Sequence, residues 1–460
     1  MAWAGPAGWV AAALTLAVYT VATVVGPASI VGVAVVVAAL AASVPIFARI
    51  GRRRADLELA GLLRLSLSVK LLATLPRFEL RQDAADYHRA GVKLADSFRS
   101  FDFVVDTGQE IPGTGTVRYA TGLVGVGTFD NEFATFVVFS LAGFVGTMWF
   151  LRAFMIALPS VDPRRYALLL LFWPSLLYWP SSTGKDALML LGLAAVAVGV
   201  AEILQSRVHG VVWALPGLTL CALVRPHVAL IAVTAAVCAI VVRGRTHGDR
   251  TGGTILRLLV IGALVVGGAL ASDAVEGLFD IDGLNPSGLS AALDLANSRS
   301  TQGGSSFVAA RIDTVVDYPW GFSTVLFRPF PHEAATPAML LTSIEALALA
   351  GLTLAAVPRF VASVSRLRRE AYTVYAATFV GVFVYLFSAI GNFGILARQR
   401  TMMLPLLLVV IALPTARERV RDRRVHRSDV IDVTSGDGGS APASGAASMS
   451  RSATRSGVSS

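Results

Sequence analysis

Apolar stretches of near membrane-spanning length recur about a dozen times along this 460-residue chain, and they leave few folds open. A helix needs ~20 apolar residues to cross hydrocarbon, fewer where neighbours shield its ends. Inside lipid each backbone group must be satisfied within its own segment, which selects helices. The stretches fall near 8–25, 29–48, 57–76, 132–151, 166–180, 187–205, 210–224, 228–242, 255–271, 337–356, 372–390 and 401–414. They predict an all-α fold: a polytopic transmembrane bundle of about twelve spans. Two larger extracytoplasmic loops, 77–131 and 272–336, are expected to carry surface helices. Only 15% of residues are charged and the mean hydropathy is +0.66. Soluble domains are nearer a quarter charged, so a soluble enzyme is excluded.

The loops alternate in character. One set carries arginine clusters: Arg52-Arg53-Arg54, Arg164-Arg165, Arg243 with Arg245, and Arg366 with Arg368-Arg369. The other carries isolated polar residues at helix ends. The positive-inside rule makes the first set cytoplasmic and turns the second outward. This places the chain in the plasma (inner) membrane with both termini cytoplasmic. The net charge of +9 is then a matter of cytoplasmic loops, the tail and anionic lipid, with no call for nucleic acid. Both cysteines, Cys221 and Cys238, lie in apolar stretches, which supports neither a disulfide framework nor a zinc site.

Three regions follow. Residues 1–56 form a retained transmembrane hairpin and a basic cytoplasmic loop. Residues 57–414 hold the transmembrane core and both long loops. Residues 415–460, basic and then rich in Ser, Gly and Ala, read as a disordered cytoplasmic tail.

The candidate chemistry sits in short motifs on the outward side. In Asp83-Ala84-Ala85-Asp86-Tyr87, helical spacing puts Asp83, Asp86 and Tyr87 on one face of an amphipathic helix expected near 83–100. A carboxylate there suits proton abstraction from a hydroxyl or the binding of a divalent cation; the simpler role is a solvated helix N-terminus. In Trp179-Pro180-Ser181-Ser182-Thr183-Gly184-Lys185-Asp186, Ser181 to Thr183 are expected to cap the next helix. Lys185 in its first turn favours an anion, or snorkels to headgroups. Arg225-Pro226-His227 joins two stretches with almost no loop, and Arg398 and Arg400 precede the last. Arginine forks match phosphate oxygens two at a time, although each alone suits an interfacial anchor. Glu345 lies mid-stretch, while Arg64 and Lys70 interrupt the third, costly positions that point to partners or function.

With these motifs the chain resembles the GT-C class of polyprenyl-phosphate-dependent glycosyltransferases, its mannosyl-, arabinosyl- and galacturonosyl-transferase branch most of all. The stretch that carries the resemblance is Asp83-Ala84-Ala85-Asp86-Tyr87, at the start of the first large outer loop. The Trp-Pro-Ser…Gly-Lys-Asp, Arg-Pro-His and Arg-Pro-Phe-Pro-His-Glu stretches are similar to blocks in exopolysaccharide-cluster membrane proteins. The resemblance implies inverting transfer of a sugar from a polyprenyl-phosphate donor to an outer-face glycan or lipid acceptor. Asp83 would be the base, with Asp86 beside it. Lys185, Arg225, His227, Arg398, Arg400 and Lys70 would hold the leaving phosphate. Tyr87, Arg328, His332 and Glu333 would shape the sugar or acceptor pocket. Many members carry Asp-x-Asp or Asp-Glu, whereas this chain has Asp83-x-x-Asp86, which leaves a divalent cation at Asp83 and Asp86 an open matter.

Two alternatives remain at this level. A polymerase or ligase type of transferase uses diphosphate-linked donors and fits the arginines and His227 better than Asp83 and Tyr87. A lipid-linked-sugar flippase fits a count of twelve spans, but transporters keep polar residues near mid-membrane. Nothing in the sequence sets an oligomeric state.

Overall fold

A computed structural model describes residues 4–26, 28–53, 58–244, 262, 276, 285–301, 305–364 and 370–414. The described elements are α1 (Ala4–Val25), α2 (Ile30–Arg53), α3 (Leu59–Glu79), α4 (Gln82–Arg99), α5 (Thr114–Thr128) and α6 (Glu132–Ala157). They continue with α7 (Arg164–Phe172), α8 (Pro174–Tyr178), α9 (Lys185–Leu204), α10 (Gly210–Val224) and α11 (Pro226–Gly244). After 285 come α12 (Pro286–Ser300), α13 (Tyr318–Phe327), α14 (Pro337–Val364), α15 (Ala371–Phe387), α16 (Phe393–Gln399) and α17 (Leu404–Ala412). Among the described residues the sole β pairing is an isolated bridge between Ser306 and Asn392.

Seven of these helices are long and apolar enough to cross a membrane: α1, α2, α3, α6, α9, α11 and α14. The twelve expected spans thus resolve into unequal pieces. Stretches 210–224 and 372–390 are shorter helices, of 15 and 17 residues. Stretch 166–180 is broken between α7 and α8, because Pro174 starts a new helix and Trp173 before it is forced extended. Stretch 401–414 is the second half of a pair, α16 and α17, bent by 62°. The span expected at 255–271 apart from residue 262, the tail at 415–460, and 272–275, 277–284 and 302–304 of loop 272–336 lie outside the described residues.

Helix α9 is the axis of the bundle, packed against α6 on one side and α10 on the other. Its spanning window is 89% buried, against 17% for α1 and 22% for α14, whose apolar faces are left open to lipid. Close approach rests on small residues, as is usual where lipid removes the hydrophobic drive between helices. A Cβ on Gly199 would fall 2.6 Å from Ala214 N, and one on Gly217 would fall 2.7 Å from Gly192 O.

Charge gathers at the two ends of this axis. At the C-terminal end Glu202 is buried and receives Arg207 at 2.8 Å, Arg152 at 3.5 Å and His209 at 3.4 Å. At the N-terminal end stands Asp186, ~24 Å away at 1.5 Å per residue.

The first long loop lies over this second end as a helical hairpin, α4 against α5. The amphipathic helix expected at 83–100 is α4. The Gly-rich stretch after it is also helical, since Gly91 and Gly122 let the two helices touch. A Cβ on Gly122 would stand 2.8 Å from Leu94 Cβ, and one on Gly91 would stand 2.6 Å from Thr121 Cγ2. Arg81 reaches Glu132 at 3.2 Å and Arg99 reaches Asp130 at 2.7 Å, so both ends of α4 are tied to the start of α6.

Candidate functional site

Four elements far apart in sequence meet at the N-terminal end of α9. From α4 comes Asp83, from α9 Lys185 and Asp186, from the α10–α11 junction Arg225, and from α16 Arg398. The centre is Asp186, whose side chain is only 2% exposed. Its Oδ2 accepts from Arg398 Nε at 2.5 Å, and its Oδ1 faces Arg225 Nη2 at 3.5 Å. Arg398 Nη1 then donates to Asp83 Oδ2 at 3.1 Å. Arg225 is held further by Met402 Sδ, 3.6 Å from its Nη1. Asp83 itself remains 65% exposed, open to a second reactant.

The local sequence explains each placement. Val224 ends α10 and Pro226 starts α11, where the missing proline N–H costs nothing. Arg225, between them, is fixed close to both helix ends. Asn392 caps α16 by accepting from Ile395 N at 3.1 Å, which sets the helix that carries Arg398. The turn at Gly184 abuts both neighbours: a Cβ there would lie 3.7 Å from Arg398 Nη2 and 3.8 Å from Tyr87 Cε2. Tyr87 is thus brought to the site on the same α4 face as Asp83. Burial, and after it the Asp83 carboxylate, pushes its phenol up, so it is protonated and able to donate.

Beside this ion network opens a cavity of ≈ 660 Å³ between α11, α12 and α15. Leu230, Leu293, Phe387 and Ile390 make apolar walls, and Lys185, Arg225 and His227 stand at the polar part of its lining. The volume suits an organic ligand of moderate size, since such pockets run to several hundred Å³. Among the described residues Lys185 has neither an ion-pair nor a hydrogen-bond partner. The cations Lys185, Arg225 and Arg398, with Arg77 close enough to feel Asp83 and Asp186, outnumber those two carboxylates.

Several residues named from the sequence lie elsewhere. Arg400 stands two residues from Arg398, and positions so spaced face opposite sides of a helix. It donates to Leu326 O at 2.5 Å and Arg328 O at 2.6 Å, and it lines a small cavity with Glu345 and Ser175. Glu345 in turn accepts from Ser175 N at 3.1 Å and Ser175 Oγ at 2.6 Å. Lys70 is buried at the end of α8 and donates to Leu176 O at 3.0 Å, a helix C-terminus that favours a cation. Asp86 pairs with Arg89 one turn further along α4, while Asp83 pairs with Arg398. Among the described residues no group of three or more His, Cys, Asp or Glu side chains is placed to hold a metal.

Arg328, His332 and Glu333 form a cluster of their own. Arg328 pairs with Glu333 and lies over the Phe307 ring at 4.0 Å, while His332 stacks on Phe330. Ser181 does not cap α9; its Oγ donates back to Leu177 O at 2.5 Å, and Gly184 precedes the helix. Asp186, quoted only as part of its motif, was missed as a site residue; an acid in the first turn of α9 is the signal that could have marked it. Gln399 and Arg299, which also line the cavity, carried no sequence signal at all. No family model, no curated protein and no solved structure matches the chain.

Proposed function

We propose that this chain is a membrane glycosyltransferase that moves a sugar from a polyprenyl-phosphate donor to a glycan or lipid acceptor. The reading places it in the plasma membrane with both termini cytoplasmic and the site facing outward, in the synthesis of envelope or extracellular polysaccharide. One observation carries it: an apolar cavity joins a cationic cluster whose outer edge presents an exposed carboxylate. A lipid phosphate has both characters, a chain for the walls and an anion for Lys185 and Arg225.

In this reading Asp83 accepts the proton of an acceptor hydroxyl as its oxygen attacks the anomeric carbon. The bond from that carbon to the phosphate oxygen breaks, and the electron pair leaves with the polyprenyl phosphate. Configuration at the carbon inverts. Lys185 and Arg225 meet the charge that grows on the leaving phosphate, an interaction stronger in the transition state than in the bound donor. Arg398 orients Asp83, Asp186 sets both arginines, and Tyr87 is positioned to donate to a sugar or acceptor oxygen.

The test is sugar transfer by the purified protein with radiolabelled polyprenyl-phosphate sugars and an acceptor extract. Wild type is expected to transfer label, with Asp83→Asn and Arg225→Ala each lowering the rate at least a hundredfold, general base catalysis alone contributing on the order of 10²–10⁴. Transfer that survives in Asp83→Asn removes it as the base. Transfer only from diphosphate-linked oligosaccharides moves the chain to the polymerase or ligase type.

A further inference from the structure

Arg299 is the cation of this cavity that the transfer mechanism leaves unused. It sits in the last turn of α12, exposed, and lines the same cavity as Lys185, Arg225 and His227. Among the described residues it forms neither an ion pair nor a hydrogen bond, although acids stand on its own helix and in the loop beyond. Those acids are committed elsewhere: Arg311 pairs with Asp294 and, at 2.7 Å, with Asp313. Arg311 also donates to Ser290 Oγ at 2.6 Å, and Ser300 Oγ accepts from Gly391 N at 3.0 Å. These bonds fix α12 along the cavity, where Leu289, Leu293, Ala296 and Arg299 all contribute to its lining. Gln399, on α16, lines the cavity too, and its Oε1 is buried without a partner.

Charge then distinguishes the ligands. Arg299 adds a positive charge to the cavity lining beyond those of Lys185 and Arg225. A sugar–phosphate–prenol diester carries one negative charge, whereas a prenyl phosphate monoester carries nearly two above its second pKa of about 6. We infer that Arg299 is a specificity-determining cation that makes this cavity prefer a lipid phosphate with two negative charges over one with a single charge. The inference rests on the lipid-phosphate reading of the site. Its consequence there is that Arg299 meets charge present on the leaving group and absent from the donor.

The experiment measures binding of farnesyl phosphate and of its methyl ester to the full chain in zwitterionic-lipid nanodiscs at pH 8. Wild type is expected to bind the dianionic monoester roughly ten- to a hundredfold tighter than the singly charged diester, the range of one charge-assisted hydrogen bond. Arg299→Gln should bring that ratio near one, and Arg299→Lys should retain most of it. In wild type the preference should vanish at pH 5, where the monoester has gained one proton and carries a single negative charge. Lys185→Gln should weaken both ligands. An unchanged ratio in Arg299→Gln, or an equal loss for both ligands, overturns the role of Arg299 and leaves the lipid-phosphate site standing. Binding of neither ligand by wild type overturns both.

Discussion

At the scale of single residues, the candidate site depends on one buried acid. Asp186 joins Arg225 and Arg398, which lie 39 and 212 positions away in sequence. Removing one member of a buried ion pair leaves the other charge uncompensated, at a cost of about 3–5 kcal/mol. Asp186→Asn should therefore lower the thermal unfolding temperature and abolish transfer, whereas exposed Asp83→Asn should leave stability unchanged and abolish transfer only. Thermal unfolding in detergent beside the transfer assay separates the two. The sequence revealed Lys185, Arg225 and Arg398 because polar residues at the ends of apolar stretches stand out. It hid the division between Arg398 and Arg400, since a bend in the chain and a two-residue offset decide which arginine faces the site. Glu333 gives a pH signature away from it. Burial alone would raise its carboxyl, but Arg328 and the Phe330 N–H outweigh burial and hold it below the ordinary carboxylate range. A depressed carboxylate stabilises the fold above its unfolded value of about 4.3 and loses that contribution as pH falls through the depressed value. Acid titration followed by hydrogen exchange of the 326–334 segment should show increased exchange below that point. Glu333→Gln should show the increased exchange already at neutral pH.

At the scale of elements, the position of Asp83 follows from how α4 packs. Amphipathic periodicity marked α4 to within a residue at either end. Helix α5 was not legible, because glycines lower helix propensity and only their contact with α4 offsets it. Gly122→Val would push a branched side chain into Leu94 and Phe98, where overpacking costs typically 1–3 kcal/mol. The expected result is a lower unfolding temperature together with a raised KM for acceptor, since α4 carries both Asp83 and Tyr87. Asn392→Ala tests the opposite wall. It removes the cap of α16 and the hydrogen bond from Ser305 Oγ at 3.0 Å, with a loss of about 1 kcal/mol for the cap. Transfer should fall while the remaining helices melt as in wild type.

At the scale of the whole molecule, two charge clusters mark the ends of α9, and the membrane topology decides which of them faces outward. In the proposed orientation the Glu202 end, with Arg152, Arg207 and Arg243, faces the cytoplasm. In a background with Cys221 and Cys238 replaced by alanine, Ser100→Cys should react with a membrane-impermeant maleimide added to intact cells. Gln205→Cys should react only after the cells are opened. The apolar stretches made the all-helical, membrane-type architecture legible, but not the number of full crossings. Proline at 174 and the bend between α16 and α17 split stretches that hydropathy alone reads as continuous. Nor was the cavity legible, because its walls come from α11, α12 and α15, which meet only in the folded chain. The most direct measurement is photolabelling in native membranes with a prenyl phosphate that carries a diazirine on its chain, followed by mapping of the labelled peptides. Label on α11, α12 and α15, around Leu230, Leu293 and Phe387, and its loss in Lys185→Ala, is the expected result. Label spread over the lipid-facing surfaces of α1, α2 and α14, indifferent to Lys185→Ala, would contradict a lipid-phosphate site in this cavity.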